Sequence, residues 1–447
     1  MHKRLRMVVG AALTTIAVTA ALTGCSSGGS GSTSGSGGSS AVTAALKKGG
    51  TLTYWSWTPS GAAQVAAFEK AYPQVKVKLV NAGTGNDEYT KLQNAIKAGS
   101  GAPDVAQIEY YAMPQFALAG SLSDLSQYGF DSLKSKYTSG TWGSVDLDGK
   151  LYGLPQDSGP MAMFYNKTVF DKYGLTVPTT WAQYVDDAKK LHAANPDAYL
   201  TSDTGDAGFT TSMIWQAGGK PFTTNGTKVT VNLQDAGTKK WADTWNQLVE
   251  NKLLAPTPGF TDDWYKQLAN GDIATQITGA WFPGVIESGA KGGSGDWRVA
   301  PIPTYDGTTA VTAENGGGAQ AVLKQSKNQA LAAGFVKWLN SSNDSVSTFL
   351  SSGGFPSTTA TLSSSSFLAS KPDYFAKQDV NTVLAGASDS VKSGWSYLPF
   401  QVYANSIYAD TVGQAYQNNS DLNAGLKAWQ AAIVKYGNQQ GFTVTSK

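Results

Sequence analysis

Between residues 51 and 111 the sequence changes its hydrophobic period four times, and this restricts the fold more than any other feature of the chain. "TLTYWSW" is a run of β-branched and aromatic residues and reads as a strand. "GAAQVAAFEKAY" places Val65, Phe68 and Tyr72 at helical spacing and stops at Pro73. "QVKVKLV" alternates strictly, as a strand does, and "NDEYTKLQNAIKAG" puts Tyr89, Leu92 and Ile96 on one helical face before the capping signal Gly99. "PDVAQIEYY" is a third strand. The order β-α-β-α-β predicts a parallel sheet with right-handed crossovers. Ligands of such a sheet sit at the carboxyl ends of its strands, here residues 55–58, 83–86 and 109–111.

The N-terminus predicts where this fold works. Lys3, Arg4 and Arg6 precede an uncharged stretch, "VVGAALTTIAVTAAL", which is shorter than the ~20 apolar residues of a membrane span and reads as a secretion signal. Leu22-Thr23-Gly24-Cys25 resembles the bacterial lipobox, in which the signal (here 1–24) is cleaved and the Cys carries lipid. Fifteen residues of Gly, Ser and Thr follow Cys25, so residues 25–48 are expected to be a flexible tether. Cleavage leaves 423 of the 447 residues, too many for one core and enough for two domains.

Charge and residue scarcity exclude whole classes of function. Without the leader, 31 basic residues face 32 acidic ones, which argues against nucleic acid or an anionic surface as partner. Arg298 is then the only arginine, so an anionic ligand lacks its usual fork of donors. With Cys25 lipidated there is no disulfide, thiol nucleophile or Cys metal site, and no cofactor or metal is expected. His192 is the only histidine beyond the leader and falls at the flank of a stripe formed by Trp181, Tyr184, Ala188 and Leu191. It reads as a solvated helix residue, so a Ser-His-Asp triad or a His-based zinc site has nothing else to use. Hydrolysis by a pair of carboxylates stays open. No phosphate-binding glycine motif follows a strand. "DLDG" at 146–149 has glycine at the wrong place for a calcium loop and reads as a hairpin turn.

The thirteen tryptophans point to the ligand. Trp241 and Trp245 recur with Leu248, and Trp338 with Phe335 and Leu339, at helical spacing, and these are core. Trp55, Trp57, Trp281 and Trp395 sit instead at strand ends or among Gly and Pro, in "YWSWTPSG", "TGAWFPG" and "SGWSYLPF". Aromatic faces stack on the C–H faces of sugar rings without demanding charge, and Glu109, Asp157 and Asn315, near the same predicted ends, supply partners for hydroxyls. "IATQITGA" reads as a short strand that presents Trp281, with Gly279 removing a side chain before it and Pro283 ending the strand.

These pieces together resemble the family 1 extracellular solute-binding proteins, the sugar-capturing subunits of ABC importers akin to maltose-binding protein. The matching segments are "GAPDVAQIEYYAMPQFALAGSLSDLS", "GKLYGLPQDSGPMAMFYNKTVFDKYGLTVPTTWAQYVDDAKKL", "LANGDIATQITGAWFPG", "VAPIPTYDG" with "NGGGAQAVLK", and "GGFPST", in family order to about residue 357. The resemblance implies an α/β fold of two lobes, each a sheet flanked by helices, closing on ligand about a hinge. The first crossing is expected within 152–165 and the return between 303 and 322, with Gly316, Gly317 and Gly318 bending close to the cleft. The expected lobes are 49–156 with 313–364, and 157–312 with 365–447. The ligand-binding set is Trp55, Trp57, Glu109, Tyr111, Asp157, Trp281, Asn315, Gly317, Trp395 and Tyr397, with Trp281 facing Trp55 or Trp57 across the cleft. The function implied is a monomeric, non-enzymatic receptor, lipid-anchored on the outer face of the bacterial cytoplasmic membrane. It would deliver a neutral oligosaccharide to membrane permease subunits. A secreted carboxylate glycosidase, or a monosaccharide or sensory binding protein, is the alternative.

Overall fold

The computed structural model describes residues 34–447; the signal 1–24 and Cys25 lie outside the described residues. The first described element corrects the expected tether. Ser34–Lys48 is a helix, α1, even though glycine and serine are weak helix formers. Tertiary packing overrides propensity here. Val42 is buried in the neighbouring core, Leu46 lies where a Cβ on Gly334 would stand, and the Ser39 hydroxyl donates to the Tyr128 carbonyl at 3.2 Å.

Eight strands frame the two lobes: β1 (Gly50–Trp55), β2 (Val75–Val80), β3 (Val105–Glu109), β4 (Leu154–Pro155), β5 (Met161–Asn166), β6 (Thr275–Gly279), β7 (Trp297–Pro301) and β8 (Gly318–Val322). In the first lobe the order is β2-β1-β3-β8-β4. β1 is parallel to β2 from Gly50↔Val75 to Trp55↔Val80 and parallel to β3, whereas β8 runs antiparallel to β3 and β4. The crossovers are α2 (Gly61–Ala71) and α3 (Asn86–Ala98), the latter closed by Gly99 at φ +68°. The predicted β-α-β-α-β order is therefore the observed one. Its core joins Leu52, Tyr54, Phe68 and Ile108 to Phe335, on a helix the chain supplies more than 200 residues later. Phe68 meets Phe335 edge-to-face at 4.8 Å, and Trp338 packs on the same ring.

In the second lobe β5 is central, paired antiparallel with β6 and β7. One side packs on Trp181, Trp241, Trp245 and Trp429, all fully buried, and the other on Trp264, Phe282 and Trp297. A buried side chain of this size contributes roughly 1.5–3 kcal/mol or more, so the core tryptophans read from helical spacing hold this lobe together. His192 differs from expectation. It is half-buried, its ring packs on Tyr199 at 4.8 Å, and Nδ1 lies 3.2 Å from the Ala198 carbonyl. "DLDG" forms the expected hairpin, with Asp148 and Gly149 both at positive φ.

The chain passes between lobes from β4 to β5, returns from β7 to β8, and leaves the first lobe again after the helix Asn343–Ser351. At the first two passages the strands hold each other by backbone-to-carboxylate bonds. Gly159 N–H donates to Glu314 at 2.6 Å and Gly318 N–H to Asp157 at 2.7 Å. The lobe boundaries shift from those expected. Ala313 is buried in the second lobe's core, Phe355 already packs there with Phe367 at 5.8 Å, and Val402 belongs to the first lobe's core. The third passage therefore precedes 365 by about ten residues.

Candidate ligand-binding cleft

A cavity of about 850 Å³ opens where the ends of β1 and β3, the crossing strands and the start of three second-lobe helices converge. Trp57, two residues past the end of β1, enters it, and its ring meets Tyr89 edge-to-face at 6.2 Å. Glu109 closes β3. Its carboxylate accepts from the Tyr89 hydroxyl at 3.1 Å, its own N–H donates to the same oxygen at 2.8 Å, and Tyr111 donates to Asn86 at 3.2 Å. The aromatic contacts continue from Tyr89 to Tyr111 and Tyr397, so one wall is a braced row of rings.

The second lobe contributes Trp281, Phe260, Asp203 and Asp206. β6 stops at Gly279 and α6 (Phe282–Gly289) begins directly after Trp281, with Pro283 seated in its first turn. Pro283 thus starts a helix rather than simply ending the strand. The indole N–H of Trp281 donates to the Asn315 carbonyl at 2.7 Å. A Cβ on Gly279 would lie 2.3 Å from that carbonyl oxygen and 2.5 Å from the indole nitrogen, so glycine is required for this seat. Gly316 and Gly317 lie at φ +80° and +88°, and a Cβ on Gly317 would strike the Tyr110 ring at 2.8 Å. Asn315 also accepts from Thr278 at 3.1 Å through its side chain.

Electrostatically the cleft is acidic. Glu109, Asp157, Asp203 and Asp206 line it, and no Lys, Arg or His is among the described residues lining it. Burial pushes Glu109 up from 4.5 to about 7, against the hydrogen bonds of Tyr89 and Tyr111 that pull it down. Burial likewise raises Asp157 and Asp203 to about 6, and raises Asp206. Asp203 is held by the Trp245 indole at 2.8 Å and the Gly205 N–H at 2.9 Å. The arrangement offers flat apolar faces beside strong acceptors, and nothing to neutralise an anion.

A sequence profile of the bacterial extracellular solute-binding proteins matches residues 54–344. The chain belongs to this family. It is also similar, at 45% identity and TM-score 0.84, to the ABC transporter associated binding protein from B. animalis subsp. lactis Bl-04, solved in complex with β-1,6-galactobiose, covering 88% of this chain and 99% of that one. The galacto-N-biose-/lacto-N-biose I-binding protein of Bifidobacterium longum is 28% identical with TM-score 0.77, over 89% and 99% of the two chains. The arabinooligosaccharide-binding protein of Bacillus subtilis (strain 168) is 27% identical over 68% of this chain and 72% of its own length.

Within this solute-binding protein the cavity gathers eight of the ten residues expected from sequence: Trp57, Glu109, Tyr111, Asp157, Trp281, Asn315, Gly317 and Tyr397. Trp55 is a correction. It is paired within β1 opposite Val80 and Ala106, packs on the first-lobe core and does not line the cavity. Trp395 is another. It stacks on Trp215 at 5.3 Å and 8° and sits behind Tyr397, which it braces edge-on at 5.8 Å. Sequence reasoning missed Asp203, Asp206 and Phe260. "TSDTGDAG" did carry a signal, since Asp206 caps the helix α4 (Ala207–Gln216) by accepting from the Phe209 N–H. An acid at a loop-to-helix start after a strand, here Thr201–Ser202, is a natural cleft residue.

Proposed function

We propose that this solute-binding protein captures a neutral oligosaccharide of two to four units and presents it intact to the permease subunits of an ABC importer. The observation that carries this reading is the cleft itself, where aromatic rings from both lobes stand beside the four carboxyl groups of Glu109, Asp157, Asp203 and Asp206 without a basic residue among the described lining residues. Rings supply area against sugar C–H faces, and carboxylates accept hydroxyl hydrogen bonds. The relatives named for binding β-1,6-galactobiose, lacto-N-biose and arabinooligosaccharides support a glycan ligand. β-1,6-Galactobiose is the first candidate, because the protein solved with it is 45% identical to this chain over 88% of its length. A monomer suffices for this role, since the chain supplies both walls of the cleft.

In this proposal Cys25 carries the lipid anchor at the outer face of the cytoplasmic membrane, residues 26–33 link it to α1, and the leader 1–24 is removed. No helix of the described residues is long and apolar enough to cross a membrane. The test is a thermal-shift panel of neutral di- to tetrasaccharides, with chromatography of the recovered sugar. A binder raises the melting temperature and returns the sugar unchanged. Turnover abolished by replacing one cleft carboxylate would instead establish the glycosidase reading.

A further inference from the structure

Phe260 is the one large aromatic that the fold of the described residues leaves unexplained. It is 63% exposed, and it lies at φ +64°, a left-handed conformation that is a true outlier for a bulky side chain. The loop "APTPGF" holds a glycine at 259, yet it is Phe260 and not Gly259 that occupies the left-handed position. Stability alone would favour the reverse order. Thr261 fixes the turn by donating to the Pro258 carbonyl at 2.8 Å and capping the helix α5 (Asp262–Asn270). Strained, exposed residues of this kind cluster at ligand clamps.

The ring of Phe260 lines the cavity beside Trp281, centroids 6.2 Å apart and planes within 29°, and leans on Trp264 at 5.3 Å. That separation is too small for a sugar ring to lie between the two, which needs about two carbon contacts of 3.5–4.0 Å each. It is also wider than full face-to-face overlap. The two rings therefore form a stepped ledge, with Trp281 anchored to Asn315. We propose that Phe260 is a ligand-contacting residue that carries a second sugar unit when the first lies on Trp281, and so selects oligosaccharides over single sugars. This rests on the carbohydrate reading above.

The experiment is calorimetric titration of β-1,6-galactobiose into wild type, Phe260→Ala, Phe260→Tyr, Phe260→Leu and Phe260→Gly, with the melting temperature of each free protein. Phe260→Ala, Phe260→Gly and Phe260→Leu should lose about tenfold or more in affinity, while Phe260→Tyr stays within about threefold. Free Phe260→Ala should melt as wild type does, and Phe260→Gly as high or higher, because glycine relieves the left-handed strain. Affinity unchanged in Phe260→Ala, full rescue by Phe260→Leu, or a melting temperature that falls in the free alanine variant overturns the proposal. If wild type binds neither β-1,6-galactobiose nor any neutral oligosaccharide of the panel, the carbohydrate reading falls and takes this one with it. Wild-type binding with an indifferent Phe260 rejects this inference alone.

Discussion

The indole N–H of Trp281 donates to the backbone carbonyl of Asn315 at 2.7 Å, so an aromatic face of the second lobe is tied to the segment that returns to the first. A sugar resting on Trp281, as proposed, would therefore press on the lobe connection itself. Such a contact can link occupancy to the relative population of lobe arrangements.

Trp281→Ala removes one face of the ledge and should cost about 1–3 kcal/mol of binding, roughly ten- to a hundredfold in Kd. The ring is only half-buried, so the free protein should lose about 2–4 °C or less for each kcal/mol of lost packing. Calorimetry and thermal melts on the same preparation separate the two. Retained affinity with a large fall in melting temperature would make Trp281 a core residue.

Gly279→Ala should be worse than its size suggests. The new Cβ would stand 2.3 Å from the Asn315 carbonyl oxygen, a backbone atom that cannot swing aside. Overpacking of this sort costs about 1–3 kcal/mol, and here it also displaces Trp281. Stability by denaturant titration and affinity should fall together; an alanine variant that binds normally would show that the Trp281 seat is not needed.

How far the sequence announced this cleft depends on which kind of signal each residue carried. The first-lobe order β-α-β-α-β was readable because β2 alternates and α3 keeps a helical stripe, and both patterns follow directly from burial of one face. Trp57 and Glu109 followed from strand ends alone. Trp55 and Trp395 did not separate from true cleft residues, since a tryptophan in a strand and one behind a tyrosine look alike until register is known. Phe260 carried no periodic signal at all, because its role depends on a left-handed backbone. α1 was hidden by its Gly/Ser composition, and only Val42 and Leu46 finding a distant surface fixes it as a helix.

Acid should stabilise the free protein over a defined window. Burial raises Glu109 and Glu314 to about 7 and Asp157 to about 6, all above their ordinary values. The folded state therefore binds more protons than the unfolded one between about pH 4 and 7, and stability falls as pH rises through that range. Melting temperature should be higher at pH 5 than at pH 8, and Glu314→Gln should flatten the slope while keeping an acceptor for the Gly159 N–H. A melting temperature that rises steadily from pH 5 to 8 would contradict this.

Ligand affinity should run the other way. A sugar hydroxyl donates best to the ionised Glu109, so affinity is full above about pH 7 and declines as pH falls through that value. Glu109→Gln should bind more weakly at pH 8 and lose this dependence. An affinity for sugar that is flat from pH 5.5 to 8 in the wild type would remove Glu109 from the contact set.

The most direct test of the central claim is calorimetric titration of the purified protein with β-1,6-galactobiose, arabinooligosaccharides and lactose, set beside amino acids, dipeptides and inorganic phosphate. The account predicts saturable binding at one site for at least one neutral oligosaccharide, weakened in Trp281→Ala, and no binding of phosphate. Binding confined to an amino acid, a peptide or an oxyanion would contradict it.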